Sequence, residues 1–509
     1  MPAGLRRSWL PALLFVGGVA ISGFTLLRGV DPFDEGLALQ AARRVAQGQV
    51  PYRDFLWAYG PAQIYLLGGL FKLVGTSLLQ WRIVRALVDG GVALTAFVLL
   101  RREAGPGVAL AGWLAAATVM AQPRTANPFA FAFLCALLAF TVATGPGALR
   151  VRVAGAALLT AAAAAFRLDF GAYALAATAT ALALRDRPVR AGAYAAATVG
   201  LTALVYLPFA IADGLSNLYE ALIGTSLREG SWWTLPFPIG YHGPFSLWPP
   251  GDLFRDGKHV LDFYVPLLLL VGLAVAALAA VVRYRRERVL PPAWIGLLVL
   301  GAGCVLYLRS RTDDFHTQPL LVVLAVLLPA AAVAVRARAL AIAAALVFVL
   351  LLVHGTANRV VAAFQHPDLA ALRVPVADGV KVPPREARAI ERVARIVDAR
   401  VPRGFVYVAP RRSDLASFDD PLLYVLTQRE NPTRRDFGLL SRLGEQREAV
   451  AALRRARPAV VVRWTDRLSS RREPNRRGRS TGVHLLDRYL EHAYRPLVRL
   501  YHYDVLVRR

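Results

Sequence analysis

Cysteine is almost missing from this chain of 509 residues, with only Cys135 and Cys304 present. Both fall inside apolar stretches, so no disulfide can brace an exposed loop and no Cys/His metal spacing exists. Nucleotide motifs are missing too: there is no Walker A sequence, no G-x-G-x-x-G after a strand-like run and no H-E-x-x-H. Asn431-Pro432-Thr433 looks like a glycosylation acceptor, but its proline excludes it. No repeat period is evident. These absences remove nucleotide hydrolysis, a bound dinucleotide and Cys/His metal centres from consideration.

What is plentiful is apolar sequence: 56% of residues are hydrophobic and the mean hydropathy is +0.44. A soluble protein of this length could not hide so much apolar surface. Stretches of the length a helix needs to cross a bilayer recur through the first 356 residues, about eleven in all. They lie near 9–27, 78–100, 105–121, 128–145, 151–166, 170–185, 190–211, 261–282, 290–308, 317–335 and 339–356. The first follows Arg6 and Arg7 as a signal peptide would, yet it is long for one and Ser22-Gly23-Phe24 makes a poor cleavage site. It reads as a retained span. Stretches 151–166 and 170–185 are parted only by Arg167-Leu168-Asp169.

Charge orients the spans. With the N-terminus in the cytoplasm, the inner segments net +12, the outer loops sum to zero and the tail nets +14, together the chain's +26. Short cytoplasmic loops are expected to be rich in Lys and Arg, and Arg283, Arg285, Arg286 and Arg288 form the strongest inner cluster. The expected architecture is a polytopic α-helical membrane domain, 1–356, with large outer loops at 29–77 and 212–260. A small soluble α/β domain, 357–509, follows outside. An outward tail would meet no nucleic acid, so its basic balance points to membrane lipid headgroups or a phosphate-bearing substrate, or to a general enrichment in Arg.

Within the tail, periodicity predicts helices at 384–400, 421–427, 445–455 and 483–491. Strands are predicted at 404–408 and 458–462, with one or two more over 496–507. The charged run 471–479 reads as a mobile loop. Asp419 and Asp420 suit capping of the helix opened by Pro421. In the loop 212–260, Trp232, Trp233, Tyr241, His242, Trp248, Arg255, Lys258 and His259 fit an aromatic belt at the membrane interface or a lid over a sugar or lipid.

The first large loop carries the most informative segment, Asp31-Pro32-Phe33-Asp34-Glu35-Gly36. Asp31 and Pro32 suit a helix start, whose dipole favours all three acids; alternatively, one carboxylate faces a cavity and removes a proton from an acceptor hydroxyl. Asp34-Glu35-Gly36, Ala41, Gly48, Pro51-Tyr52-Arg53-Asp54-Phe55 and Tyr59-Gly60-Pro61 together resemble the first outer loop of the GT-C glycosyltransferases. The match is with the group holding protein mannosyltransferases and lipid A aminoarabinose transferases. That resemblance implies an acidic residue acting on the acceptor, mapping to Asp34, with Glu35 beside it and Asp54 as a second candidate.

Two further clusters join the list. Arg167 and Asp169, with Gly171 and Tyr173, sit at the turn between two spans, as a self-neutralising pair or with Arg167 reaching toward phosphate. Arg309-Ser310-Arg311-Thr312-Asp313-Asp314-Phe315-His316 fills another outward turn. A guanidinium offers oxyanions a fixed bidentate fork, and Arg311, Asp314 and His316 resemble the family's R-x-D-x-x-H string with tighter spacing. The expected substrate-binding residues are therefore Asp54, Arg167, Asp169, Arg309, Arg311, Asp314 and His316.

The resemblance implies a bacterial inner-membrane enzyme that passes a sugar from a polyprenyl-phosphate donor to a lipid, glycan or protein acceptor outside the cytoplasm. Asp34, Glu35 and Asp54 could hold a divalent cation through oxygen ligands, though nothing in the spacing demands one. The rival reading is a transporter or flippase of lipid-linked oligosaccharide, which needs ionisable groups near mid-membrane; Asp89 alone falls there. A non-catalytic assembly protein that docks through its tail is the third.

Overall fold

A computed structural model describes residues 9–365, 368–436 and 440–509; Arg6 and Arg7 lie outside the described residues. A helix occupies each expected apolar stretch. Helix α1 (Trp9–Gly23) leads into the first large loop, which holds α2 (Asp34–Ala46) and α3 (Ala62–Val74). There follow α4 (Leu78–Arg101), α5 (Pro106–Met120), α6 (Phe129–Thr144), α7 (Leu149–Phe166), α8 (Leu168–Arg185) and α9 (Pro188–Asp213). The second large loop contains α10 (Leu215–Tyr219), a π turn (Glu220–Gly224) and α11 (Thr225–Trp233). Then come α12 (Pro250–Glu287), α13 (Pro292–Ser310), α14 (Asp314–Ala334) and α15 (Arg338–Phe364).

Helices α4, α7, α9, α12, α13, α14 and α15 are long and apolar enough to cross a membrane, and α1, α3, α5 and α6 are shorter apolar helices. The chain is a multi-pass membrane protein. Proline opens α5, α9 and α13 at their first turns, where its missing N–H costs nothing. The single extended residue Arg167 (φ −152°, ψ 122°) is enough to part α7 from α8. Helix α14 is central, with 83% of its most apolar window buried, whereas α9 has 11% buried and offers its flank to lipid. Helix α12 has 38 residues. At about 1.5 Å per residue it outruns a hydrocarbon core of about 30 Å, so the last part of the loop expected at 212–260 is helical from Pro250 onward.

Asp89 is not a free charge in the bundle. Arg85 Nε donates to its Oδ1 at 2.7 Å and Ser22 Oγ to its Oδ2 at 2.7 Å, which ties α4 to α1. A buried charge with both oxygens satisfied is structural, and this removes the one sequence feature that favoured a transporter.

The C-terminal unit begins with the short pair β1 (Ala370–Ala371) and β2 (Lys381–Val382) and then α16 (Pro384–Arg400). Next are β3 (Val406–Ala409), α17 (Leu422–Thr427), α18 (Leu443–Ala456), β4 (Val460–Trp464), α19 (Leu485–Ala493), β5 (Tyr494–Leu500) and β6 (Tyr503–Arg508). Its four-stranded sheet runs β3-β4-β6-β5, parallel between β3 and β4 and antiparallel elsewhere. Strand β3 is buried at every position, because helices and loops cover both faces. Asp420 ties α17 to this sheet: its carboxylate accepts the Tyr503 hydroxyl at 2.8 Å.

This unit is seated on α2, whose residues from Glu35 to Arg44 are all buried. Leu422 N donates to Pro32 O at 3.3 Å. A Cβ on Gly36 would stand 2.2 Å from Leu422 N, so only glycine lets α17 come this close. About two turns on, Arg43 donates to the Arg429 carbonyl at 2.6 Å. Arg44 donates to the Thr433 carbonyl at 2.7 Å and to Asp436 at 2.8 Å, and the Arg44 and Asp436 side chains are 5% and 1% exposed. Leu56 N donates to Arg434 O, and Arg434 in return to Tyr52 O.

Asp436→Ala would strand Arg44 without its counter-ion in this seam. The expected loss is about 3–5 kcal/mol, read as a lowered melting temperature of the detergent-solubilised protein; an unchanged melting curve would show that the seam does not hold the two units together.

Candidate active site

Helix α2 starts where Asp31 permits it. Its Oδ1 accepts the N–H groups of Phe33 and Asp34, each at 3.1 Å, satisfying donors that a helix start leaves open. The cap is therefore Asp31, and Asp34 is released for another role. Asp34 lines a cavity of about 690 Å³ and its carboxylate accepts no hydrogen bond among the described residues. Burial, and then the Asp31 and Asp313 carboxylates, push its pKa up to about 8 against the pull of Arg311 and Arg167.

Glu35, its neighbour, turns away from the cavity. Arg82 grips it bidentately, Nε to Oε1 at 2.7 Å and Nη2 to Oε2 at 2.8 Å, with both side chains at 0% exposure. Arg82 also donates to the carbonyls of Leu26 and Gly29. The expectation that Glu35 acts catalytically is therefore corrected: both its oxygens are spent on the fold.

Arg167 reaches the same cavity from the α7–α8 junction. Asp169 takes Nε at 3.0 Å and Nη2 at 2.7 Å, and Asn127 Oδ1 takes Nη1 at 2.9 Å. The guanidinium lies between the rings of Tyr59 and Tyr307, 5.0 and 4.9 Å from their centres, a placement that favours cation–π attraction. Gly60 permits this assembly, since a Cβ there would sit 2.1 Å from Ala165 O.

The α13–α14 turn supplies the third group. Asp313 caps α14 by accepting His316 N at 3.1 Å, and its Oδ1 also lies 2.6 Å from His316 Nδ1. Arg311 Nε donates to Asp313 Oδ2 at 2.6 Å. Burial would raise Asp313, but its contacts with His316 and Arg311 outweigh it and hold the carboxyl below its usual range. His316 rests against the Tyr307 ring, 4.5 Å between centres.

Asp34, Arg167, Asp169, Arg311 and His316 thus line one cavity. The other predicted catalytic and substrate-binding residues do not, and each has a physical reason. Asp54 pairs with its exposed neighbour Arg53 and accepts Val50 N at 2.7 Å. Arg309 is exposed. Asp314 turns into a second cavity of about 530 Å³, where it lies 3.5 Å from His354 Nε2. Asp34, Glu35 and Asp54 accordingly do not converge on a cation. Among the described residues, Asp414, His484 and Asp487 do lie together, but Arg412, Ser480, Ser413 and Arg463 already donate to those carboxylates.

Sequence reading missed Asp313, Asn127 and two contributions of the C-terminal unit, Phe418 and Arg477, which also line the cavity. The run 471–479, expected to be mobile, is folded in. Glu473 is held by Arg477 and Arg311, and Gly478 N donates to Ala416 O at 2.9 Å. The loop 212–260 splits: Trp233 lines the cavity and stacks on Phe418 at 4.8 Å, Trp232 is buried, and Trp248 is 76% exposed.

Glu35→Ala should lower stability by about 3–5 kcal/mol, because it leaves Arg82 buried and unpaired. Asp54→Ala should change it by less than about 1 kcal/mol, as expected of an exposed pair. Thermal melts of the two purified variants check this; equal losses would refute the assignment of Glu35 to the fold.

No protein-family model and no curated protein matches the sequence. Solved structures do match in fold. ArnT from Cupriavidus metallidurans superposes with a TM-score of 0.55 at 14% identity over 97% of each chain. The Archaeoglobus fulgidus oligosaccharyltransferase gives 0.53 at 11% identity, covering 91% of this chain and 70% of that one. The arabinofuranosyltransferase AftD from Mycobacteria gives 0.50 at 14% identity over 98% of this chain and 40% of its own much longer one. The fold is the GT-C fold to which the first-loop residues pointed.

Proposed function

We propose that this chain is a glycosyltransferase that moves a sugar from a polyprenyl-phosphate carrier to an acceptor at the extracytoplasmic face of the bacterial inner membrane. The observation that carries this reading is the unshared carboxylate of Asp34 in one cavity with Arg167, Arg311 and His316. Two of the proteins it resembles in fold are named for moving an oligosaccharide and an arabinofuranosyl group, which favours the same class of reaction. In this reading residues 1–356 form the membrane domain and 357–509 the outer soluble domain, and the net-positive inner loops favour both large loops lying outside.

The reaction is a direct displacement with inversion. Asp34 accepts the proton as the acceptor oxygen attacks the anomeric carbon. The bond from that carbon to the phosphate oxygen breaks, and its electron pair stays with the phosphate. Arg311, His316 and Arg167 stabilise the growing negative charge, and Asp169 and Asp313 fix the angles of the arginines. Lipid, glycan and protein acceptors can all offer a hydroxyl, the nucleophile this scheme requires.

A general base contributes about 10²–10⁴-fold to rate. Asp34→Asn should therefore lower transfer from a synthetic polyprenyl-phosphate sugar by at least about a hundredfold, with membrane expression intact. Because the folded pKa of Asp34 lies near 8, the acid form prevails at neutral pH, and activity should rise as pH increases through about 8. A variant that transfers normally, or a flat profile from pH 6 to 9, would remove Asp34 from the role of base.

A further inference from the structure

Arg311, from the turn before α14, and Arg477, from the C-terminal unit, point at the same atom. Each donates to Glu473 Oε1, both at 2.7 Å, while Asn475 holds Oε2 at 3.1 Å. The side chains of Glu473 and Arg477 are 7% and 6% exposed. Arg477 lies 4.3 Å from the Phe418 ring centre, and Phe418 packs on Phe33, next to Asp34, at 3.9 Å. The Nε of Arg477 is buried with no hydrogen-bond partner.

Arg311 is otherwise held by Asp313 and the Trp233 carbonyl, and Arg477 by the Leu468 carbonyl, yet the two guanidinium groups must share one carboxylate oxygen and the buried Nε–H of Arg477 is left without an acceptor. Phosphate suits them better. It offers more acceptor oxygens, and a phosphodiester that loses its sugar becomes a monoester with roughly one further negative charge. A pair of arginines spanning it would thus bind more tightly as the bond breaks.

Resting on the transfer reading, we propose that Arg311 and Arg477 form a two-arginine clamp for the phosphate of a prenyl-linked substrate. One jaw belongs to the membrane domain and the other to the C-terminal unit. Glu473 occupies the clamp until phosphate displaces it.

The test is binding of farnesyl phosphate to the full-length protein in detergent, with farnesol and inorganic phosphate as parallel ligands. Glu473→Gln removes the competing charge and keeps the shape, so it should tighten farnesyl phosphate binding. Arg477→Gln and the conservative Arg477→Lys, which keeps charge but loses the fork, should weaken it by about tenfold or more. Farnesol should not respond to any of the three. Unchanged affinity in the folded variants, no binding of farnesyl phosphate by the wild type, or binding of inorganic phosphate as tight as that of farnesyl phosphate would overturn the proposal. Asp34→Asn separates the two claims: it should lose transfer while binding farnesyl phosphate like the wild type. If instead it transfers normally, the role of Asp34 falls and the clamp is judged on the binding data alone.

Discussion

The buried pair between Glu35 and Arg82 sets the geometry on which the rest depends. Arg82, on α4, ties the loop after α1, at Leu26 and Gly29, to the first turn of α2 through one guanidinium. Removing two charges from water is costly and is offset only when geometry is near ideal and every donor is used. Here each Arg82 nitrogen donates, to Glu35, Leu26 or Gly29, so α2 has one rotational setting. Successive helical side chains diverge by about 100°. With Glu35 locked inward, Asp34 faces the cavity. Two adjacent acids that look alike in sequence thus receive opposite tasks from their surroundings.

The C-terminal unit is part of the same construction. Arg43 and Arg44 on α2 bind its carbonyls and Asp436, and Gly36 lets α17 lie directly against the helix that presents Asp34. In return the unit places Phe418 and Arg477 in the cavity wall. A soluble domain tethered by a flexible linker would hold such groups loosely. Here the backbone bonds from Leu422 to Pro32 and from Leu56 to Arg434 fix it, so the site is built from both units and would be incomplete without either.

The helices were legible in the sequence because each rests on local signals, a long apolar run or a proline at the first turn. The tail helix α16 falls where its 3.6-residue pattern ends at Arg400, and the break at Arg167 is as short as the three-residue signal implied. The partners of the charges were not legible. Nothing near Glu35 in the chain announces Arg82, and nothing near residues 471–479 announces Arg311, because each pairing is decided by which elements the fold brings together. The strands β1 and β2, two residues each, are too short to leave a periodic trace. Asp313 could have been found: an acid three residues before His316, at the entrance to an apolar helix, is the pattern of an N-cap. Asp314 was favoured for following the order of the family's R-x-D-x-x-H string, but Asp313 is the acid that keeps its spacing, and the fold turns Asp314 to the other cavity.

The charges around the cavity nearly cancel. Arg167, Arg311 and Arg477 face Asp34, Asp169, Asp313 and Glu473, with His316 at the margin. A site built only to trap phosphate would leave its arginines unpaired; here Asp169, Asp313 and Glu473 hold them in place. Asp34 is the acid without such a hydrogen-bonded partner, and its raised pKa follows from burial first and then from the nearby Asp31 and Asp313 carboxylates. An acid near pKa 4 is a poor base toward a hydroxyl, whereas one near the working pH combines useful basicity with a sizeable ionised fraction. Asp313, one of the acids that steady the arginines, therefore also tunes the base, since it repels the Asp34 charge while gripping Arg311. Fixing the cations and strengthening the base are two effects of one arrangement.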